Sequence, residues 1–205
     1  MNRVTFLLRM DGDPQCNLKE IKALRGAFEN ACAAAGIHNF SLWHMQMYLF
    51  GYGEMEQRDD ACLDAVFAQL PQGVRLVCPP GSMKQMYYDL GIVRQDKSLI
   101  RHRVFATRLK PGCADEYKRR HDGLIEQRGD VVKEGPESNF TIWLGDGCIF
   151  GYCELVRAFD GIEPTPEQKA WTRAWETRQL EIMDWLTDDV DWLTGEKHPA
   201  VERVL

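Results

Sequence analysis

The chain has 205 residues, of which 44% are hydrophobic, so it can bury a core as one large domain or two small ones. Its formal net charge of −6 argues against a general nucleic-acid or anionic-membrane binder, because such binding relies on clustered lysine and arginine. No apolar stretch approaches the ~18 to 20 residues of a membrane-crossing helix, and the N-terminal residues do not form a signal peptide.

The cysteine pattern points to a reducing compartment. There are 7 cysteines, an odd number at scattered spacings and without a C-x-x-C motif. Reduced thiols in a cytoplasmic protein are therefore expected in place of a disulfide framework. Cys148 and Cys153 flank a predicted strand without a nearby histidine, so no metal site is predicted.

The first half of the chain alternates predicted strands and helices. A first strand precedes a helix whose inner stripe is ordinary apolar core: Ile21, Leu24, Phe28, Ala31 and Ala35. "NFSLW" (39–43) and "LFGYGE" (49–54) follow as the two strands of a hairpin. The second helical region is split into "DDACLDAVFAQL", "VRLVCPPGS" and a short helix around "MKQMYYDL".

The second half repeats this order. "RVFATRL" is a predicted strand, and a helix from about 113 to 133 follows and stops at Gly135-Pro136. Its inner stripe recurs at spacings of three and four: Ala114, Tyr117, His121, Leu124, Ile125, Val131 and Val132. "NFTIWL" and "CIFGYCE" are strands around a tight turn at 145–147. A second helix bears Trp171, Trp175, Ile182 and Trp185, and "PAVERVL" is a candidate edge strand.

An offset of 100 residues aligns the two halves without gaps. "NFSLW" falls on "NFTIW" (139–143) and "LFGYGE" on "IFGYCE" (149–154), which chance would not place at one common offset. A tandem duplication is therefore predicted, with an N-terminal repeat over 1–95 and a C-terminal repeat over 100–205. The order β-α-β-β-α-β is the ferredoxin-like plan, so the predicted class is α+β with two βαββαβ repeats.

One face of the predicted hairpin is shared by both repeats. A two-residue turn at 146–147 predicts three cross-strand pairs on this face: Trp143 with Phe150, Thr141 with Tyr152, and Asn139 with Glu154. Five of these six residues recur identically in the N-terminal repeat, and Ser41 matches the sixth, Thr141. We interpret the set as the seam between the two sheets. A sugar-stacking or catalytic role for Trp143 and Glu154 is the alternative.

His121 departs from the apolar pattern of its helix. The offset of 100 places Ile21 at the equivalent position, so an apolar side chain would suffice there. A lone inward histidine is more often a satisfied core residue than a catalyst, and that interpretation stays open. A catalytic role is favoured because a histidine pKa near 6.5 suits proton transfer at neutral pH. Tyr117, one turn earlier, lies on the same face of the helix and can contact the same ligand.

The stretch "RVFATRLKPGCADEYKRRHDGL", followed by "SNFTIWL" and "IFGYCE", resembles the L-rhamnose mutarotase family over roughly residues 101 to 154. Members of that family interconvert the anomers of L-rhamnose without a cofactor or a metal, on a dimeric ferredoxin-like α/β barrel. The resemblance implies that the two repeats form an intramolecular dimeric α/β barrel. It also implies a monomer or weak homo-oligomer, because the second repeat replaces the usual partner subunit.

The resemblance assigns roles to individual residues. It implies that His121 is the general acid/base and that Tyr117 contacts the sugar. Phe140 stands where the family has a substrate-contacting tyrosine, so the ring is kept and the hydroxyl is lost. A tryptophan pair on the family's second helix aligns with the following residues: Ile182 and Met183, with Trp185 two residues on. Met183 and Trp185 are therefore candidate substrate-binding residues.

The predicted function is that of a cytoplasmic aldose mutarotase that acts on a small-molecule sugar, L-rhamnose or a relative. Nucleic-acid and membrane partners are not expected. A non-catalytic sugar-binding or regulatory protein is the first alternative, motivated by the missing hydroxyl at Phe140 and the altered second helix. Another activity of the dimeric α/β-barrel type, such as a small monooxygenase or a haem-handling protein, is the second alternative.

Overall fold

The structure is a computed structural model that describes residues 1–187 and 201–205. It divides into two compact units, each built on a five-stranded antiparallel sheet. The first unit comprises Met1–Met83 together with Val201–Leu205. The second begins at Lys84 and includes the described residues to Thr187.

The described part of the chain contains strands and helices in the following order. The strands are β1 (Asn2–Met10), β2 (His38–Met45), β3 (Tyr48–Met55), β4 (Val74–Cys78), β5 (Lys84–Asp89), β6 (Ile100–Leu109), β7 (Glu137–Gly145), β8 (Cys148–Val156), β9 (Met183–Thr187) and β10 (Glu202–Arg203). The helices are α1 (Pro14–Ala23), α2 (Arg25–Ala35), α3 (Asp64–Phe67), α4 (Ala114–Arg128) and α5 (Pro166–Gln179). Within these residues, no helix is long and apolar enough to cross a membrane.

Both sheets have the strand order of the ferredoxin-like plan with one extra edge strand. The first sheet runs β10-β2-β3-β1-β4 and the second runs β5-β7-β8-β6-β9. Without β10 and β5, the two orders are the same when counted within each repeat. The predicted α+β class and its ferredoxin-like repeats are therefore confirmed. The matching orders support the predicted tandem duplication, which itself stays a prediction.

The central hairpin of the second sheet has the predicted register at its turn. Trp143 pairs with Phe150 and Thr141 with Tyr152. The two turn residues 146 and 147 both have positive φ, at 49° and 72°, which is the type I′ geometry that matches strand twist.

The predicted backbone pair of Asn139 with Glu154 is wrong, because an irregularity shifts the register and Ser138 takes that place. Asn139 has a φ of 50°. Its side-chain amide donates a 3.0 Å hydrogen bond to the Glu154 carboxylate, so the two residues still meet.

The predicted short helix around "MKQMYYDL" is also wrong. This segment is β5, the edge strand that pairs with β7 in the second sheet. Pairing with β7 provides hydrogen-bond partners for the backbone groups of β5, as a helix would. As a strand, β5 also places alternate side chains on the face of the sheet that the helices cover. Residues assigned by the sequence offset to the N-terminal repeat therefore complete the second unit.

Two helix ends also differ from prediction. α4 ends at Arg128 because Gly129 takes a φ of 64° and its N–H bonds the carbonyl of Ile125. Val131 and Val132 therefore lie outside the helix and are exposed, not part of its inner stripe.

α5 ends at Gln179, so the predicted second helix does not reach Trp185. Met183 and Trp185 instead lie on β9, the edge strand opposite β5.

The core of the second unit lies between α4 and the sheet. Apolar side chains of the central strands, Phe105, Ile142 and Ile149 among them, pack with Tyr117 of α4. Gly151 of β8 makes this packing possible, since a Cβ there would lie 2.0 Å from the ring of Phe105. The sheet can thus accept a large ring directly on the backbone.

Candidate active site

Helix α4 turns only two side chains fully inward. Tyr117 and His121 are its buried residues, and they are four positions apart, so they lie on one face. On the outer face, Glu116 accepts a 2.7 Å hydrogen bond from the exposed Arg119, a spacing that stabilises a helix. The charged pattern in the sequence is therefore the solvent side of α4, as the periodicity predicts.

The His121 ring is held in a defined tautomer. Nδ1 lies 2.9 Å from the carbonyl oxygen of Tyr117, which can only accept, so Nδ1 carries the hydrogen. Nε2 is therefore the unprotonated nitrogen of the neutral ring. Burial lowers the pKa of His121 to about 4, and the hydrogen bond to the backbone offsets only part of this effect. The imidazole is neutral at pH 7 and can accept a proton at Nε2.

Three aromatic rings surround this imidazole. The Tyr117 ring is stacked on it, with centroids 4.1 Å apart and planes at 28°. Tyr87 of β5 and Trp175 of α5 approach edge-on, at 5.4 Å and 5.2 Å between centroids. Only 5% of His121 is exposed, so the rings exclude most of the water and account for the lowered pKa.

Arg120 anchors α4 to the end of α5. Its guanidinium donates to the Glu181 carboxylate at 2.9 Å and to the carbonyl oxygen of Arg178. Because Trp175 lies one turn before Arg178 on α5, this anchor holds the tryptophan edge against His121.

Tyr87 connects His121 to a cavity at the edge of the sheet. Its ring lies edge-on to that of Phe140, at 5.3 Å between centroids. A cavity of about 570 Å³ opens beside these two rings, a volume typical of small-ligand sites. The aromatic and charged side chains that line this cavity are Tyr87, Asp89, Arg128, Lys133, Glu137 and Phe140.

A second, smaller groove approaches the histidine from α5. Trp175 and Trp171 are stacked with parallel rings 6.0 Å apart, and both line a groove of about 330 Å³ together with Arg178. Trp171 is 57% exposed. Trp175 therefore contacts the imidazole and also lines this groove.

The first unit is filled with apolar side chains at the equivalent positions. Ile21 takes the place of His121 and is fully buried. Phe28 takes the place of Arg128, and its ring is stacked on that of Phe40 at 5.6 Å. A phenylalanine thus occupies the core of the first unit where an arginine lines a cavity in the second. This difference favours the second unit as the site.

The structure brings some of the predicted site residues together and separates others. His121 and Tyr117 are in direct contact, and Phe140 is joined to them through Tyr87. Met183 and Trp185 belong to the same apolar core but lie on β9. Trp185 is linked to Phe140 through the ring of Phe105, in two steps of 5.9 Å and 6.0 Å.

Four residues of the site are absent from the sequence predictions. Tyr87 and Asp89 lie in the segment predicted as a helix of the first repeat, and Arg128 lies seven residues after His121, on the same face of α4. Trp175 was placed on a helix without a role. One signal for Tyr87 and Asp89 is present in the sequence: "MYYD" follows a Pro-Pro-Gly turn and is rich in strand-forming aromatic residues.

The residues around His121 are suited to proton transfer. Among residues 1–187 and 201–205, no group of three or more His, Cys, Asp or Glu side chains is arranged to hold a metal ion. His121 is not among the residues that line the cavity, and the ring of Tyr87 connects the two. A neutral imidazole in this position is suited to general acid/base chemistry on a small organic ligand that reaches it.

Comparison with known proteins identifies a family. The sequence model of a family described as L-rhamnose mutarotase matches residues 102–204. A curated L-rhamnose mutarotase from Jannaschia sp. (strain CCS1) is 30% identical over 84 residues, which make up 40% of this chain and 78% of that protein.

Two solved structures resemble the whole chain more weakly. A proposed monooxygenase from Lactobacillus acidophilus NCFM has a TM-score of 0.45 and 8% identity, over 83% of this chain and 86% of its own. Another from Fusobacterium nucleatum subsp. nucleatum has a TM-score of 0.43 and 11% identity, over 90% of this chain and 92% of its own. Likenesses this weak support no conclusion about activity.

Proposed function

The chain belongs to the L-rhamnose mutarotase family, and from that premise we propose a sugar mutarotase in which His121 of the second unit is the catalytic group. The proposed substrate is L-rhamnose or a related neutral aldose. One observation carries the proposal above all: His121 is a buried histidine with Nδ1 fixed by the backbone and Nε2 left to accept a proton.

Mutarotation needs one proton removed and one proton delivered. Nε2 takes the proton of the anomeric hydroxyl while the bond between C1 and the ring oxygen breaks and its electron pair moves to that oxygen. The ring oxygen then takes a proton, which gives the open-chain aldehyde. Rotation about the C1–C2 bond and the reverse steps close the ring on the other face of the carbonyl.

The lowered basicity of His121 has opposite effects on the two halves of this cycle: the base is fully deprotonated but weaker, and its conjugate acid is stronger. With a pKa of about 4, the imidazole is already deprotonated at neutral pH and is available as a base. The imidazolium that forms is a strong acid for a histidine, so it returns the proton readily to the ring oxygen. Acid/base catalysis of this kind contributes typically ~10² to 10⁴-fold, which is the rate enhancement that we expect.

The aromatic walls support a sugar ligand. Phe140 and Tyr87 present rings to the cavity, and the C–H face of a pyranose packs well on such surfaces. Tyr117 is proposed to contact the substrate from the histidine side. Substrate contacts by Met183 and Trp185 stay predictions, and their position on β9 calls for a test of each.

The proposal is tested by the exchange of L-rhamnose anomers, measured by NMR saturation transfer with the buffer rate subtracted. The wild-type protein should accelerate exchange, and His121→Asn should reduce the acceleration at least 100-fold, because an amide cannot cycle a proton at neutral pH. His38→Asn is the matched control, since His38 is an exposed histidine of the first unit, and it should exchange at the wild-type rate. Unchanged exchange in His121→Asn would contradict the assignment.

A non-catalytic sugar-binding protein is the second candidate. The absence of a hydroxyl on Phe140 favours it, because one polar contact with a ligand is then missing. In that case the wild-type protein would bind L-rhamnose saturably, and anomer exchange would stay at the buffer rate.

A further inference from the structure

A polar cluster closes one end of the 570 Å³ cavity. The Arg128 guanidinium contacts Asp89 Oδ1, and the Gly91 N–H donates to the same oxygen at 3.2 Å. The Tyr87 hydroxyl donates to Asp89 Oδ2 at 3.5 Å. All four residues line the cavity. Arg128 is the last residue of α4, the helix that carries His121, and the other three lie outside that helix.

The cluster retains capacity for further hydrogen bonds. Arg128 uses Nε on the carbonyl of Gly129 and one hydrogen of Nη1 on Asp89, so three of its five N–H groups lack a partner among the described residues. A carboxylate accepts about four hydrogen bonds, and Asp89 receives three within the same residues. Burial, and then the charge of Asp89, raise the pKa of Tyr87, so its hydroxyl stays protonated.

Tyr87 connects this cluster to His121. Asp89 lies directly opposite Phe140 in the pairing of β5 with β7. Tyr87, two residues earlier, contacts both Phe140 and His121 with its ring. A ligand against these rings is therefore within reach of the Tyr87 hydroxyl, which supplies a polar group beside a phenylalanine that has none.

We propose that Tyr87, Asp89 and Arg128 form a hydroxyl-binding subsite that selects neutral sugars with two adjacent hydroxyl groups. A carboxylate beside a guanidinium matches such a pair, because the carboxylate accepts from the hydroxyls and the guanidinium donates to them. The lining has two acidic and two basic side chains, Asp89 and Glu137 with Arg128 and Lys133, so an uncharged ligand suits it. This inference names the ligand class of the cavity and rests on the proposed function.

The test measures binding and exchange separately. Methyl α-L-rhamnopyranoside, which cannot open, reports the dissociation constant by titration calorimetry, and L-rhamnose reports exchange by NMR. Tyr87→Phe keeps the ring and removes one neutral hydrogen bond, so we expect about 2- to 10-fold weaker binding. Asp89→Asn removes a charged acceptor, and about 10- to 100-fold weaker binding is expected.

Matched controls separate this subsite from general effects. Tyr88→Phe makes the same change at the neighbouring exposed tyrosine of β5, which does not line the cavity. Asp115→Asn neutralises an exposed aspartate at the start of α4. Both should bind the glycoside like the wild type, and thermal unfolding checks that every variant is folded.

The outcomes distinguish the inference from the proposed function. If exchange depends on His121 but Tyr87→Phe and Asp89→Asn bind like their controls, the subsite is overturned and the mutarotase stands. If the glycoside binds and both variants weaken it while exchange stays at the buffer rate, the subsite stands and the mutarotase fails. A wild-type protein that neither binds the glycoside nor accelerates exchange overturns both.

Discussion

His121 donates its Nδ1 hydrogen to the carbonyl oxygen of Tyr117, one turn earlier on the same helix, at 2.9 Å. The backbone thereby fixes the tautomer of the ring and directs the lone pair to Nε2. Tyr117 in turn is stacked on the imidazole face at 4.1 Å, so one residue sets both the orientation and the tautomer of the other.

The pH dependence of the reaction should reflect the lowered pKa of His121. A base is active when deprotonated, so kcat/KM should be constant from about pH 5.5 to 8 and should fall as the pH drops toward about 4. Exchange rates across this range, corrected for buffer catalysis, provide the measurement. An inflection near 6.5, the ordinary histidine value, would show that the imidazole is not desolvated in the working enzyme.

Acid should destabilise the wild-type protein more than His121→Gln. The folded state takes up this proton only near pH 4, whereas the unfolded state takes it up near 6.5. Between these values the unfolded state binds more protons, so the free energy of unfolding falls as the pH drops. The expected loss from this residue is about 3 kcal/mol between pH 7 and pH 4. Urea unfolding at both pH values measures it, and equal losses in the two proteins would refute the expectation.

Tyr117→Phe tests the proposed contact of this tyrosine with the sugar. The change keeps the stacked ring and removes only the hydroxyl, so His121 should keep its orientation. If the hydroxyl binds the substrate, KM should rise about 2- to 10-fold, with a free energy of unfolding within about 1 kcal/mol of the wild type. A KM equal to that of the wild type would leave Tyr117 with a purely structural role.

Two glycine substitutions should have opposite effects on stability. Gly151→Ala places a Cβ 2.0 Å from the Phe105 ring, which must move and disturb its contacts with Phe140 and Trp185. We expect a loss of about 1 to 3 kcal/mol, with reduced activity. Gly123→Ala in α4 meets nothing within 4 Å and should gain about 0.5 to 1 kcal/mol. Thermal unfolding measures both, and a stable Gly151→Ala protein would show that the Phe105 ring moves at little cost.

The hairpin register and the direction of helical side chains depend on residues close in sequence, and both could be predicted. The register of Trp143 with Phe150 follows from strand alternation and a two-residue turn, both of which act over a few positions. The inward direction of His121 follows from the helical period in the same way. At Asn139 the local rule failed, since a positive φ and a side-chain hydrogen bond to Glu154 shift the pairing by one residue.

Periodicity and turn chemistry act over a few residues, so they predicted the strand and helix order except at β5 and β9, together with the hairpin and the inward histidine. The pairing of β5 with β7, which brings Tyr87 and Asp89 to Phe140, depends on long-range packing. A free sheet edge accepts any strand that satisfies its backbone groups, and the local sequence does not say which strand arrives. The surroundings of His121, and with them its lowered pKa, likewise depend on rings from β5 and α5 that lie far away in the chain.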